Sequence, residues 1–572
     1  MAVRHRTSIS ILPLVAFVFL ATSPTFSQNT SSDASKQLPT IKVRTGLVLV
    51  PTIVTDRSGV HVPGLKQEDF TVLQNGKPQQ ISFFVHVKTQ AEPMKRPAVP
   101  SGVTNTVEGT SQRLTIFMFD LMNSSITEQQ TARDQFFKLL SKSLDVKEPM
   151  CLLALDNRGL QVIHDFTDDP QVLVEALKTI TGLGSGKDLP QDNPVDSMFR
   201  AGSSYDPRNP TSARSVAVMI NHLRYFQIAA RQQQLNEGIR TRLTLDAIRQ
   251  VGEAFAGIPG RKSLIWATGG FPFDMNDLEK FEIDDQSLSG QHAKYDYGGL
   301  ERSLLPYYES AWRALNNANI AVYPLDLEDL GTATGVNPSV GRPLPDHTDV
   351  RFNVGNLENF ADATGGKLCD RSMDARACFR VAVDDSTDYY LLGFYENTEH
   401  PKAGWRKLSV RVARAEIRVR ARSGYYIARP AEETGRKDRE WETALVSPLD
   451  STGVPLTVLW TATTSWTDVA ERHIGFSFRI SAEGAKVDEQ DSNHISLQFA
   501  AVATNVTGVR AGVFSQTVDG KLNPDAAKAA KSEGLTYPGS ITLLPGEYRV
   551  TFGVRDNLSG LIGTVSAPLV VH

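Results

Sequence analysis

Three aspartates stand at the ends of short apolar runs: Asp120 closes LTIFMFD, Asp156 closes MCLLALD and Asp326 closes IAVYPLD. Carboxylates gathered at one edge of a sheet could act as an acid and base pair, the arrangement a hydrolase would use. Other reactive patterns are weaker. The eleven histidines are scattered with no His-Glu-x-x-His spacing, so a zinc hydrolase has no signature. Gly182 to Lys187 follows a helical stretch rather than a strand, lacks the full phosphate-loop spacing and runs into Asp188 where Ser or Thr would bind Mg²⁺; it reads as a connection. Of three cysteines, Cys151 lies in an apolar run and reads as a small buried hydrophobe. Cys369 and Cys378 flank a polar loop and read as a local disulfide or as two unrelated thiols. Two sulfurs without a further His or Cys do not complete a metal tetrahedron.

The chain that must position these groups has 572 residues, which at roughly 150 per domain suggests about three or four domains. A net charge of −4 with 41% hydrophobic and 22% charged residues excludes collagen-like and disordered classes. It also argues against nucleic acid as a partner, since phosphate binding needs a basic face. At the start, Arg4 and Arg6 precede an apolar stretch from Ile11 to Ala21, and the small residues Thr25 and Ser27 precede Gln28. Residues 1–27 therefore read as a cleaved secretory signal, with the product exported to periplasm, outer surface or medium. No later stretch approaches 18 apolar residues, so no stable membrane span is expected after cleavage.

Residues 41–88 alternate apolar and polar positions, and Asn75-Gly76 between FTVLQ and the next run is a hairpin signal; this is a β-rich module. Residues 89–111, rich in Pro, Gly, Ser and Thr, read as a linker. From Arg113 the pattern changes to buried strands alternating with helical stripes such as Ala132, Phe136, Leu140 and Leu144, which predicts a parallel α/β sheet. GLQVIHDF follows MCLLALD closely enough to pair with it antiparallel, so a mixed sheet is expected. β-pattern returns near Tyr389; Arg418, Arg420 and Arg422 alternate along one strand face and read as a solvated row guarding an edge. The charged stretch Pro430 to Thr443 marks a boundary, and residues 444–572 read as a β-sandwich of immunoglobulin-like type.

Four stretches together resemble one family: VTDRSGVHVPGLKQEDFTVLQNGKPQQISFF, RLTIFMFDLMNSS, TLDAIRQVGEAFAGIPGRKSLIWATGGFPF, and LENFADATGGKLC with DDSTDYYLLGFYE. The order of pieces is similar to the acidobacterial von Willebrand factor A-related family, exported proteins built around a von Willebrand type A domain. The resemblance implies an α/β fold, with a Rossmann-like type A domain over 113–430 carrying a C-terminal β-hairpin extension and flanked by the two β modules. It also implies a ligand edge at the strand ends, with Asp120, Asn123, Ser124 and Thr268 as ligand-binding residues. Members that hold Mg²⁺ or Mn²⁺ use Asp-x-Ser-x-Ser after the first strand; Asp120 and Ser124 fit the first and third positions. Met122 stands at the middle position and Gly269 where a second Asp would be, so no cofactor is expected. The implied function is that of an exported, non-enzymatic binding, adhesion or scaffold protein engaging a protein or cell-surface ligand. The alternatives are a hydrolase using Asp120, Asp156 and Asp326, or a structural component of the envelope.

Overall fold

The computed structural model describes residues 47–89, 97–107, 113–141, 148–180, 235–271, 298–327, 357–369, 373–396, 404–427, 430–465, 471–482 and 493–572, with Gly484, Val487 and Asp488. The expected signal segment and the glycine-rich run at 182–187 lie outside the described residues.

A five-stranded sheet has the order Ile320–Asp326, Arg261–Thr268, Arg113–Asp120, Met150–Asp156, Gly159–Thr167. The first four strands run parallel and the last antiparallel. Those four are buried along their whole length, as strands covered on both faces must be. One face packs against Ile248, Val251, Tyr308, Trp312 and Phe360 from helices at 235–254, Gly298–Asn317 and 357–364. The other packs against Phe136, Leu140, Leu173, Leu177 and Phe379 from Ile126–Ser141, Pro170–Thr179 and Ala375–Thr387. Parallel direction brings Asp120, Thr268 and Asp326 to the same edge.

The expected fold class, α/β with a Rossmann-like type A domain as its body, is corrected by the remaining sheets. Among the described residues four of the five sheets are four-stranded and pair only antiparallel, so the structure is β-dominated and only the fifth sheet is covered by helices on both faces. The long apolar runs of 113–326 dominate the sequence pattern, beside which the shorter strands look like appendages. Those shorter strands find partners far away in the chain, which alternation does not encode.

Leu47–Asp56 and Phe83–Lys88 both pair with Asp388–Tyr395, and Leu47–Asp56 also pairs with Ile417–Ala421. Phe70–Gln74 pairs with Gly404–Val412, which pairs with Gly424–Ile427. Val50, Val54, Phe70, Val72, Leu392 and Phe394 fill the space between these two sheets. The strands of 47–88 are thus half of a sandwich whose other half comes from 388–427. Asn75 (φ 48°) and Gly76 (φ 79°) make the hairpin turn in the left-handed region that Asn-Gly favours. The arginine row is not a solvated face: Arg418 is exposed, Arg420 donates to both oxygens of Asp385 at 2.6 and 2.5 Å, and Arg422 is buried over the Tyr425 ring.

The C-terminal sandwich sets Leu535–Leu543, Arg472–Ile480, Leu456–Ser465 and Gly102–Thr104 against Arg510–Lys521, His494–Asn505, Gly546–Asp556 and Ile562–Val571. Phe476, Phe478, Phe499 and Phe552 dominate its core. One of its strands, Gly102–Thr104, arises in the stretch that reads as a linker. Just beyond it, buried Asn105 donates to Ser451 O and Val454 O and accepts from Leu456 N, using both amide hydrogens and its oxygen. The charged boundary stretch forms the helix Pro430–Val446, whose Trp441 packs on Ala500 and Ile562 of the sandwich. No helix among the described residues is long and apolar enough to cross a membrane.

Cys369 and Cys378 are bonded, tying the residue that bridges to Leu325 to the helix Ala375–Thr387. Cross-linking across a sequence separation of 9 removes chain entropy from the unfolded state worth about 2.5 kcal/mol. The double variant Cys369→Ala, Cys378→Ala is therefore expected to lose about that much in urea unfolding. A wild type unaffected by reductant under unfolding conditions would contradict this.

Candidate functional site

The loop after strand Arg113–Asp120 is fixed by its own side chains. Ser125 N donates to Glu128 Oε2 at 2.6 Å and Glu128 N donates to Ser125 Oγ at 3.3 Å, the reciprocal pair that starts the helix Ile126–Ser141. Gln129 Nε2 donates to Leu121 O and Ser124 O at 2.9 and 3.0 Å, holding the loop from beneath.

Asp120 is the centre of this arrangement. Its Oδ1 accepts from Asn123 N at 2.9 Å, and its Oδ2 accepts from Asn123 Nδ2 at 2.9 Å, Trp266 Nε1 at 3.2 Å and Thr268 Oγ1 at 3.0 Å. Asn123 Nδ2 also donates to Thr244 Oγ1 at 2.8 Å, while Ser124 Oγ accepts from Gly269 N at 2.8 Å. The four predicted ligand-binding residues are thus brought together, all buried. Burial raises the Asp120 carboxyl above its ordinary value, against the lowering effect of bonds from Asn123, Thr268 and Trp266.

An ionised carboxylate has about four lone-pair sites; at Asp120 three internal donors crowd Oδ2 and one reaches Oδ1. Ser124 Oγ is engaged by a backbone N–H, Met122 is buried with a thioether that suits no hard cation, and Asn123 Oδ1 is one acceptor in the loop left without a partner. These residues do not fit Mg²⁺ or Mn²⁺, which need several converging oxygens. Among the described residues no three His, Cys, Asp or Glu side chains gather as a metal group.

The other strand-end carboxylates are also placed by the fold. Asp156 Oδ2 accepts from Arg158 Nε and NH2 at 3.0 and 2.6 Å, and its Oδ1 accepts from Arg158 N at 2.7 Å. Asp326 is buried at the far strand, two positions from Asp120 in the sheet order. Glu128, Thr244 and Trp266 are site residues the sequence reading did not select. A Cβ on Gly269 would lie 2.2 Å from Glu128 Oε2, so this carboxylate fills the space where a side chain at 269 would be. The Ser-x-x-Glu spacing at 125–128 was the available signal for Glu128. Thr244 had none, being 121 residues from its partner.

At the opposite edge of the sheet Lys262 is buried, its Nζ donating to Ile258 O and Gly260 O at 2.5 and 3.0 Å. Burial pushes its pKa down to about 7. Between that value and the ordinary lysine range the unfolded chain binds the extra proton, so stability rises with pH across this window. Lys262→Met removes the group, and its stability relative to wild type should fall steadily from about pH 7 to pH 10. Parallel urea curves at both pH values would show the lysine to be charged in the native state.

No protein-family model matches the chain, and no curated protein matches it. Among solved structures, a putative β-galactosidase from Bacteroides fragilis is 15% identical over 20% of this chain and 16% of that one, with a TM-score of 0.15. A β-glucuronidase from Bacteroides uniformis is 8% identical over 32% of this chain and 19% of that one, also at 0.15. The chain spans under a fifth of either enzyme, and likeness at this level carries no inference about fold or activity.

Proposed function

We propose that this is an exported, non-enzymatic binding or scaffold protein that engages a protein or cell-surface ligand. One observation carries the reading: Asp120 and Asp156, two of the three strand-end carboxylates that could do acid and base chemistry, are bound to donors of the chain itself. A general base needs a lone pair directed at substrate, and the buried Asp120 carboxylate is instead engaged by Trp266, Thr268 and Asn123. Two β-sandwiches beside the central sheet supply rigid surface and spacing, which suits presentation rather than turnover.

The test combines two assays on residues 28–572. Immobilised protein should retain an envelope component saturably, competed by free protein, while chromogenic ester, glycoside, phosphate and peptide substrates show no turnover. Turnover that disappears in Asp156→Asn would establish the hydrolase reading instead.

A further inference from the structure

In the sheet that joins Leu47–Asp56, Asp388–Tyr395 and Phe83–Lys88, the even residues Val48, Val50 and Val54 enter the sandwich core, so the odd residues of that strand face outward. The register then sets Leu47 beside Tyr395, Leu49 beside Gly393 and Phe83, and Pro51 beside Leu391 and Val85 on the outward side. One half of that side is covered by the chain itself. Pro51, Ile53 and Tyr389 are buried, and Ile53 stands across from Arg420, whose partner Asp385 belongs to the helix Ala375–Thr387.

The other half is open. Leu47, Leu49, Phe83, Val85 and Tyr395 are each between 39% and 46% exposed. A Cβ on Gly393 would lie 3.1 Å from Phe83 Cβ and 3.3 Å from both Leu47 Cδ1 and Leu49 Cδ2, so three of these side chains close over one glycine. Every outward position of the three strands in this half is aliphatic, aromatic or glycine, with no charge among them. Single exposed apolar side chains are ordinary on a protein surface. Five on adjoining strands form one continuous patch, continuous in turn with the half that the chain already buries.

We propose that a second copy of this chain covers the open half, two such faces packing across a two-fold axis. At this exposure the five side chains present about 400 Å², so two copies set together remove about 800 Å² before their rims are counted. Leu391 and the strand backbone around the patch bring the total to about 1,000 to 1,200 Å², the low end of specific interfaces, which predicts a weak dimer. The face favours its own equal. Without charge it carries no electrostatic code for a different partner, whereas an isologous contact asks only that the face fit itself. Two twisted sheets meet that demand by interdigitating their side chains about 10 Å apart. The proposal stands apart from the strand-end loop and does not depend on what that loop does.

Sedimentation velocity of residues 28–572 between about 1 and 200 µM tests it. Wild type should pass from monomer to dimer with a Kd of about 10 to 100 µM, and the association should persist in about 1 M NaCl, where contacts between exposed charges are screened. Leu49→Lys and Val85→Lys each set an unpaired charge in the face and should raise the Kd about tenfold or more. Val513→Lys, at an exposed position of the C-terminal sandwich, should leave it unchanged. All three replace exposed side chains, so an unchanged melting temperature separates lost association from lost fold. Wild type that stays monomeric to about 200 µM, or a dimer that Leu49→Lys leaves intact or Val513→Lys weakens equally, would overturn the proposal. Cosedimentation of such a monomer with phosphatidylcholine vesicles would assign the face to a lipid surface instead.

Discussion

Asp120→Ala is expected to lower the unfolding free energy by about 3 kcal/mol. The substitution strips partners from Asn123 N, from the Trp266 indole N–H, and from one contact each of Thr268 and the Asn123 amide, all in a buried loop. Each abandoned buried donor costs about 1 to 3 kcal/mol, reduced where a second acceptor exists, as Gly270 O does for Thr268 and Thr244 Oγ1 for Asn123. Chemical denaturation checks the value. The effect should also depend on pH with a definite sign. Burial raises the native carboxyl, so the folded state holds its proton at pH values where the unfolded chain has lost it. Stability contributed by this group falls as pH rises through that window, so the gap between wild type and variant should widen on acidification toward the ordinary Asp value. A loss below about 0.5 kcal/mol would show that the loop holds without its aspartate.

Gly257→Ala should cost at least as much, for a steric reason. A Cβ there would lie 1.8 Å from Thr452 O and 2.6 Å from Thr452 C, both backbone atoms that no rotamer change can move. Thr452 is itself held at this place: its N and its Oγ1 donate to Ala254 O at 3.2 and 2.6 Å, and its Oγ1 accepts from Gly257 N at 3.0 Å. The methyl group therefore forces apart the end of the helix at 235–254 and the segment leading into the C-terminal sandwich. A loss of about 3 kcal/mol or more is expected, with faster proteolysis near Thr452. Gly520→Ala is the control, because its added methyl meets nothing within 4 Å and the change should stay within about 0.5 kcal/mol. Equal stability of the two variants would contradict the described seating of Thr452 on the helix end.

The parts legible in the sequence are those in which local pattern equals local environment. LTIFMFD, MCLLALD, KSLIWAT and IAVYPLD are uninterrupted apolar runs because their strands are covered on both faces. Asn75-Gly76 gave its turn because few other residues tolerate positive φ twice in succession. Pairing over long separations was not legible. Nothing near Leu47 announces Tyr395 as its partner, nor does anything near Val103 announce Val458, so a module and a linker turned out to be strands of two sandwiches. Period two placed Arg418, Arg420 and Arg422 on a common side but could not say what lay against it. Asp385 and Tyr425 decide that: Asp385 pairs with Arg420, and Arg422 is buried over the Tyr425 ring. At the candidate site, the family resemblance pointed to Asp120, Asn123, Ser124 and Thr268, which the fold brings together. Thr244 and Trp266 were not, because they reach the loop only through the tertiary fold.

The most direct test of the central claim, that Asp120 is a buried structural acceptor engaged by internal donors rather than by a metal or a substrate, is isothermal titration of Mn²⁺ into residues 28–572, wild type beside Ser124→Ala. The account predicts no saturable binding in the micromolar range for either protein. Micromolar binding by wild type that is lost in Ser124→Ala, with both proteins folded, would contradict it and show that the loop opens to take an ion.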